Sequence, residues 1–157
     1  MPQDLKAKAL TELRDVQKRY LTDLRALSDE AIAKSPGGAA RTPANFTYEI
    51  TVVNKRLMTR MQGGDPGPFD PNAWKETPAE FETKEGAAKA FRESLDGIIA
   101  VVEATDEADM LKEITTPSGA TSPFDLAEFC AYHINYHDGQ LNYIQALNGD
   151  AAIHWMD

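Results

Sequence analysis

Four segments of this chain repeat apolar residues at the spacing of one helix face, and that period specifies helices rather than strands. In the first, residues 3–33, the stripe is Leu5, Leu10, Leu13, Val16, Tyr20, Leu24 and Leu27. Ser35-Pro36-Gly37-Gly38 then stops it, since proline cannot continue a helix and glycine tolerates reversal. The second opens at Thr42-Pro43, a cap followed by proline at the first helical position, and carries Phe46, Ile50, Val53, Leu57 and Met61. The third, residues 84–104, aligns Ala87, Phe91, Leu95, Ile98 and Val102. The fourth begins at Ser122-Pro123-Phe124-Asp125 and runs to Leu147, where Asn148-Gly149 ends it.

Four amphipathic helices bury their stripes against one another, which gives an all-α four-helix bundle in one domain, 1–157. The Gly-, Pro- and acid-rich stretch 63–82 is long enough to cross the end of a bundle, so a crossover topology is expected over a simple up-and-down one. Within it Thr77-Pro78-Ala79-Glu80 has the form of a capping box before a short helical turn. The connection 105–121 is acidic and then turn-like at Pro117-Ser118-Gly119, and no stretch alternates as a strand does. The tail 151–157 has apolar residues beyond the fourth stop and is expected either to cap the bundle or to join an interface; Leu21, Ile99 and Val101 add apolar surface off the main stripes.

The formal net charge of −9 opposes nucleic-acid binding, which needs Lys and Arg for phosphate. Residues 1–60 carry 11 Lys/Arg against 7 Asp/Glu, and residues 61–157 carry 5 against 18. Solvation and dipole bias are the expected account of this asymmetry, over attraction between the two halves across the fold, since exposed charge pairs contribute little. The single cysteine, Cys130, permits no internal disulfide. No apolar run reaches the length of a membrane helix, and the first ten residues lack the apolar core of a signal peptide. A cytoplasmic protein with no membrane partner is expected.

The functional signal is a set of polar groups in an apolar register. The fourth stripe reads Leu126, Cys130, His133, His137, Gln140, Ile144 and Leu147. His133 and His137, four apart, stand one above the other on one face, a spacing that lets two imidazoles hold one divalent ion. The glutamate of an H-E-x-x-H protease helix is absent, because His133-Ile134-Asn135-Tyr136-His137 stands there. A third ligand has to come from another helix. Glu49 borders the second stripe beside Ile50, and Asn54 lies next to the same stripe; His154 and Cys130 are weaker candidates. The alternatives are a neutral histidine pair bonded to Tyr, Asn or backbone, and a Glu49 paired with an Arg or Lys.

His133-Ile-Asn-Tyr-His137-Asp-Gly-Gln140-Leu-Asn-Tyr143 resembles the H-x-x-x-H-x-G-Q-[LI]-x-Y signature of the DinB/YfiT-like superfamily. The order of the helices and the long crossover resemble it over the whole chain. The resemblance implies an up-down-down-up bundle, a homodimer, and a divalent metal, zinc or nickel, held by one histidine of the second helix and two of the fourth. It also implies a small-molecule substrate, since characterised relatives transfer low-molecular-weight thiols or use one in an isomerisation; metal-dependent thiol S-transfer or hydrolysis is the activity implied. Residues 43–62 contain no histidine, and by register Glu49 takes that ligand's place, with Asn54 as the outer polar residue. His133, His137 and Glu49 are then the metal ligands. Gln140, Tyr136 and Asn54 surround them or face the substrate. The contrasting expectation is a non-catalytic bundle binding a small ligand or partner protein, its histidines serving as internal hydrogen-bonders.

Overall fold

The computed structural model describes residues 4–156, and these form an all-α bundle with one short hairpin. Among the described residues there are five α-helices: α1 (Leu5–Ala26), α2 (Asp29–Ala33), α3 (Pro43–Met61), α4 (Lys84–Ala104) and α5 (Pro123–Leu147). Each is started by a side chain that satisfies one of its free N–H groups. Asp4 caps α1, Ser28 α2, Thr42 α3, Thr83 α4 and Ser122 α5. Pro43 and Pro123 fill first-turn positions where no N–H is needed.

The four long helices run up-down-down-up. Lys8 meets Glu128, Arg19 meets Asn135 and Asp23 meets Asn142, so α1 and α5 are parallel neighbours. Lys6 meets Glu103 and Gln17 meets Asp96, so α4 runs antiparallel to α1. Asn54 meets Ser94 along parallel α3 and α4, whereas Phe46 meets His137 and Asn54 meets Cys130 across antiparallel α3 and α5. The long connection between α3 and α4 returns along α3, its Gly67 carbonyl accepting from Arg56 and its Trp74 carbonyl from Asn45, as two parallel helices in succession require.

The core is one cluster fed by all four long helices, with Leu13, Tyr20, Leu24, Ile50, Phe91, Leu95, Ile98, Ile134 and Leu141 inaccessible to solvent. The Tyr20 and Phe91 rings sit 4.4 Å apart, and the buried Tyr20 hydroxyl is satisfied by Thr47 Oγ1 at 2.7 Å.

Several expectations are corrected. The first segment is not one helix: α1 ends at Ala26, Leu27 and Ser28 are extended, and α2 restarts at Asp29. The break turns both Leu27 and Ile32 inward, and Ser28 with Asp29 and Glu30 is a helix start inside what reads as a continuous stripe. Residue 3 lies outside the described residues. A two-stranded hairpin, β1 (Ile114–Thr116) with β2 (Gly119–Thr121), occupies the α4–α5 connection where no strand was expected. Leu147, assigned inward, is 56% exposed because α5 is ending there. Leu21 and Ile99 are covered within the bundle rather than spare. A 3-10 turn does form at Ala79–Glu82, but without a side-chain cap; the Thr77 hydroxyl accepts from Asn45 Nδ2 instead. The tail returns over α1, where the Arg19 guanidinium lies 5.7 Å from the Trp155 ring and Gln145 Nε2 donates to the Ala152 carbonyl. Among the described residues no helix is long and apolar enough to cross a membrane.

Candidate metal centre

Antiparallel packing of α3 against α5 brings Glu49 opposite His133 and His137, and one ligand atom from each lies within 4.8 Å of the others. The two Nε2 atoms face each other at 3.1 Å. Glu49 Oε1 is 3.5 Å from His133 Nε2, and Glu49 Oε2 is 3.7 Å from His137 Nε2. A tetrahedral ion bonded at about 2.0–2.1 Å separates its ligand atoms by roughly 3.3–3.5 Å, so these spacings fit a shared ion with little movement. Two imidazoles and a carboxylate are also a donor set of catalytic zinc sites.

The proton positions point the same way. Gln140 Oε1 lies 2.8 Å from His137 Nδ1. A carbonyl oxygen only accepts, so His137 carries its hydrogen on Nδ1 and turns the Nε2 lone pair toward His133 and Glu49. This is the arrangement a metal-bound histidine needs, with the outer nitrogen held by an oxygen. On the other ring, His133 Nδ1 is buried without a hydrogen-bond partner, so the second histidine lacks the corresponding support. Phe46 stacks on the His137 ring at 5.3 Å and 9°, and Phe129 on the His133 ring at 6.0 Å and 3°. Tyr136 meets His137 edge-on at 5.0 Å, while its own side chain is largely exposed.

Glu49 has two kinds of neighbour at once. It converges on the histidines, and it also forms an ion pair with Arg41, the residue before the α3 cap. Burial by itself would raise the Glu49 pKa; the close approach of His133, His137 and the Arg41 guanidinium outweighs it and holds the carboxyl well below the usual range. The carboxylate is therefore ionised and ready to face a cation. Arg41 lies outside every apolar stripe, so periodicity carries no signal for it, although a base two helical turns before Glu49 is a place from which to look.

The other candidates stand elsewhere. Asn54 is buried and engaged with Ser94 and with the Cys130 thiol, which donates to its Oδ1 at 3.3 Å. Burial pushes the Cys130 thiol up, so it stays protonated. His154 bonds Asp150 in the tail at 2.7 Å. Asp138, next to His137, is a buried acid that sequence reasoning missed. It faces Asp23 across the α1–α5 seam, and burial together with that neighbour pushes it up to about 7. Its signal was available: α5 has a second buried stripe through Ala127, Ala131, Ile134 and Leu141, and Asp138 interrupts it.

A cavity of about 340 Å³ opens beside the cluster, lined among others by Arg41, Phe46, Tyr136 and Gln140, each of which touches Glu49 or His137. A comparison with curated proteins finds no match. The model of the DinB superfamily matches residues 12–141, a span that runs from α1 into α5 and includes Glu49, His133, His137 and Gln140. With the bundle, its helix order and its histidine pair in agreement, the chain belongs to the DinB superfamily.

Proposed function

We propose that this protein is a divalent-metal-dependent enzyme in which Glu49, His133 and His137 hold one ion, zinc or nickel, at the edge of a small-molecule cavity. The observation that carries the reading is the convergence of three ligand atoms, from two helices, at separations a single ion sets. When bound, such an ion lowers the pKa of a water or thiol so that a nucleophile forms near neutral pH. The chain's own residues prepare the place. Gln140 fixes the His137 tautomer. Arg41 orients Glu49 through one oxygen and offsets part of its charge. Phe46 and Phe129 stack on the imidazole faces.

The reaction proposed is thiol S-transfer or hydrolysis on a small substrate, with a low-molecular-weight thiol as the co-substrate in the first case. A carboxylate in place of a third imidazole makes the site harder and less positive, which favours activated water over activated thiol. The competing reading, a non-catalytic bundle, draws on the Arg41–Glu49 pair, which gives the carboxylate a partner without an ion. Metal analysis separates them. Protein purified without chelator should carry about one divalent ion per chain and melt at a lower temperature after chelation. Protein that retains no metal and takes up none from zinc, nickel or manganese salts favours the non-catalytic bundle.

A further inference from the structure

The cavity beside the cluster has an unusual wall for so acidic a protein. Its nine lining residues include no carboxylate, although the chain carries a net charge of −9. The polar groups on it are Arg41, Gln140 and the phenols of Tyr136 and Tyr143; Phe46 and Ile144 supply apolar carbon. The Gln140 oxygen is taken by His137, so the amide offers its N–H groups. Arg41 uses one terminal nitrogen for Glu49 and for Asn45 Oδ1, and a guanidinium has five N–H donors, so further donors remain on this wall residue. A wall of donors and aromatic carbon, with one cation and no acid, complements an anion joined to a flat apolar body.

Gly139 supports the cavity's role. It lies within α5, where glycine is the poorest ordinary helix former, and a Cβ built on it would touch nothing within 4 Å. No packing demand explains the missing side chain there, and Gly139 is itself one of the residues that line the cavity.

We infer that this cavity binds a small carboxylate-bearing molecule with an aromatic or similarly flat apolar body, its carboxylate on Arg41 and its body between Tyr136, Tyr143 and Phe46. The inference rests on the metal-centre reading for what happens to the ligand next, but not for the binding, which the wall provides.

The test compares phenylacetate with its neutral analogue phenylacetamide by calorimetric or NMR titration, on zinc-loaded and on chelator-treated protein, with metal content measured separately. Phenylacetate should bind about tenfold more tightly in both forms, as a charge-assisted guanidinium contact implies. Arg41→Met should remove the preference. Gly139→Leu, which fills the opening and improves the helix, should lose both ligands with its melting temperature and zinc content kept. Equal binding of the two probes, binding of neither, phenylacetate binding that survives Gly139→Leu, or a preference that vanishes with the zinc would each overturn the inference. Protein that selects phenylacetate but loads no zinc refutes the metal reading alone; protein that loads zinc without selecting phenylacetate refutes this inference alone.

Discussion

His137 is the most constrained residue of the site: fully buried, stacked on Phe46 and held at Nδ1 by Gln140. Removing that hold should cost metal affinity without unfolding the bundle. Gln140→Ala is expected to weaken zinc binding about 10–100-fold in a competition titration, and Gln140→Glu, which still accepts from Nδ1, to recover most of it. Unchanged affinity in Gln140→Ala would mean the amide does not orient the ring. Glu49 gives a prediction in pH. Its folded pKa is depressed, so its contribution to stability is present above the unfolded value near 4.5 and is lost as pH falls below that. Metal-free wild type should therefore lose melting temperature on acidification below about pH 4.5, with a shallower loss in Glu49→Gln. The histidines were legible because imidazoles stood where the other helices place Leu, Ile and Phe. Arg41 was not, because the path of the loop after α2, rather than any periodicity, brings it to Glu49.

At the scale of elements, the start of α4 rests on a close backbone approach. A Cβ on Gly86 would lie 1.9 Å from the Glu80 carbonyl oxygen of the preceding 3-10 turn. Gly86→Ala, which improves helix propensity, should nevertheless destabilise by about 1–3 kcal/mol in urea unfolding. A stabilised variant would show that the turn yields freely. The α1–α5 seam holds the buried acids Asp23 and Asp138, with Asn142 Nδ2 donating to Asp23 at 2.7 Å. Asp138 is pushed up to about 7, above its unfolded value near 3.8, so its protonated form is the stable one and stability falls as pH rises through that interval. Asp138→Asn should melt above wild type at about pH 8, the gap closing toward pH 4; a gap independent of pH would mean that Asp138 does not carry the proton. The caps of α3 and α5 and the stripes of α3 and α4 were readable, since Thr42-Pro43 and Ser122-Pro123 each do one local job; Thr83, which caps α4, has no proline after it to mark the start. The α1–α2 break was not, because Leu27 and Ile32 keep an apolar pattern on both sides of it. Nor was the hairpin, whose strands are three residues each and too short to alternate visibly.

For the whole molecule, charge and metal act differently. The pairs that join the basic first third to the acidic remainder, Lys8–Glu128 at 2.8 Å and Arg14–Glu103 at 2.6 Å, are exposed and stabilise little. Repulsion within a chain of net charge −9 is the larger effect, so the melting temperature should rise between roughly 0.01 and 0.3 M salt. A fall would give the ion pairs the greater weight. Topology was open to inference because a connection as long as 62–83 can return the length of the bundle, and parallel α3 and α4 require that it does. An ion held by Glu49 of α3 and the histidines of α5 would link two helices far apart in sequence, and it would stabilise the fold by about 2.7 kcal/mol at a hundredfold excess over its dissociation constant. The most direct measurement is therefore a zinc titration of wild type, Glu49→Ala and His137→Ala. One site per chain in wild type, weakened to a similar degree by either substitution, is the result expected from three converging ligands. A wild type that binds no zinc, or a Glu49→Ala that binds as tightly as wild type, would contradict it.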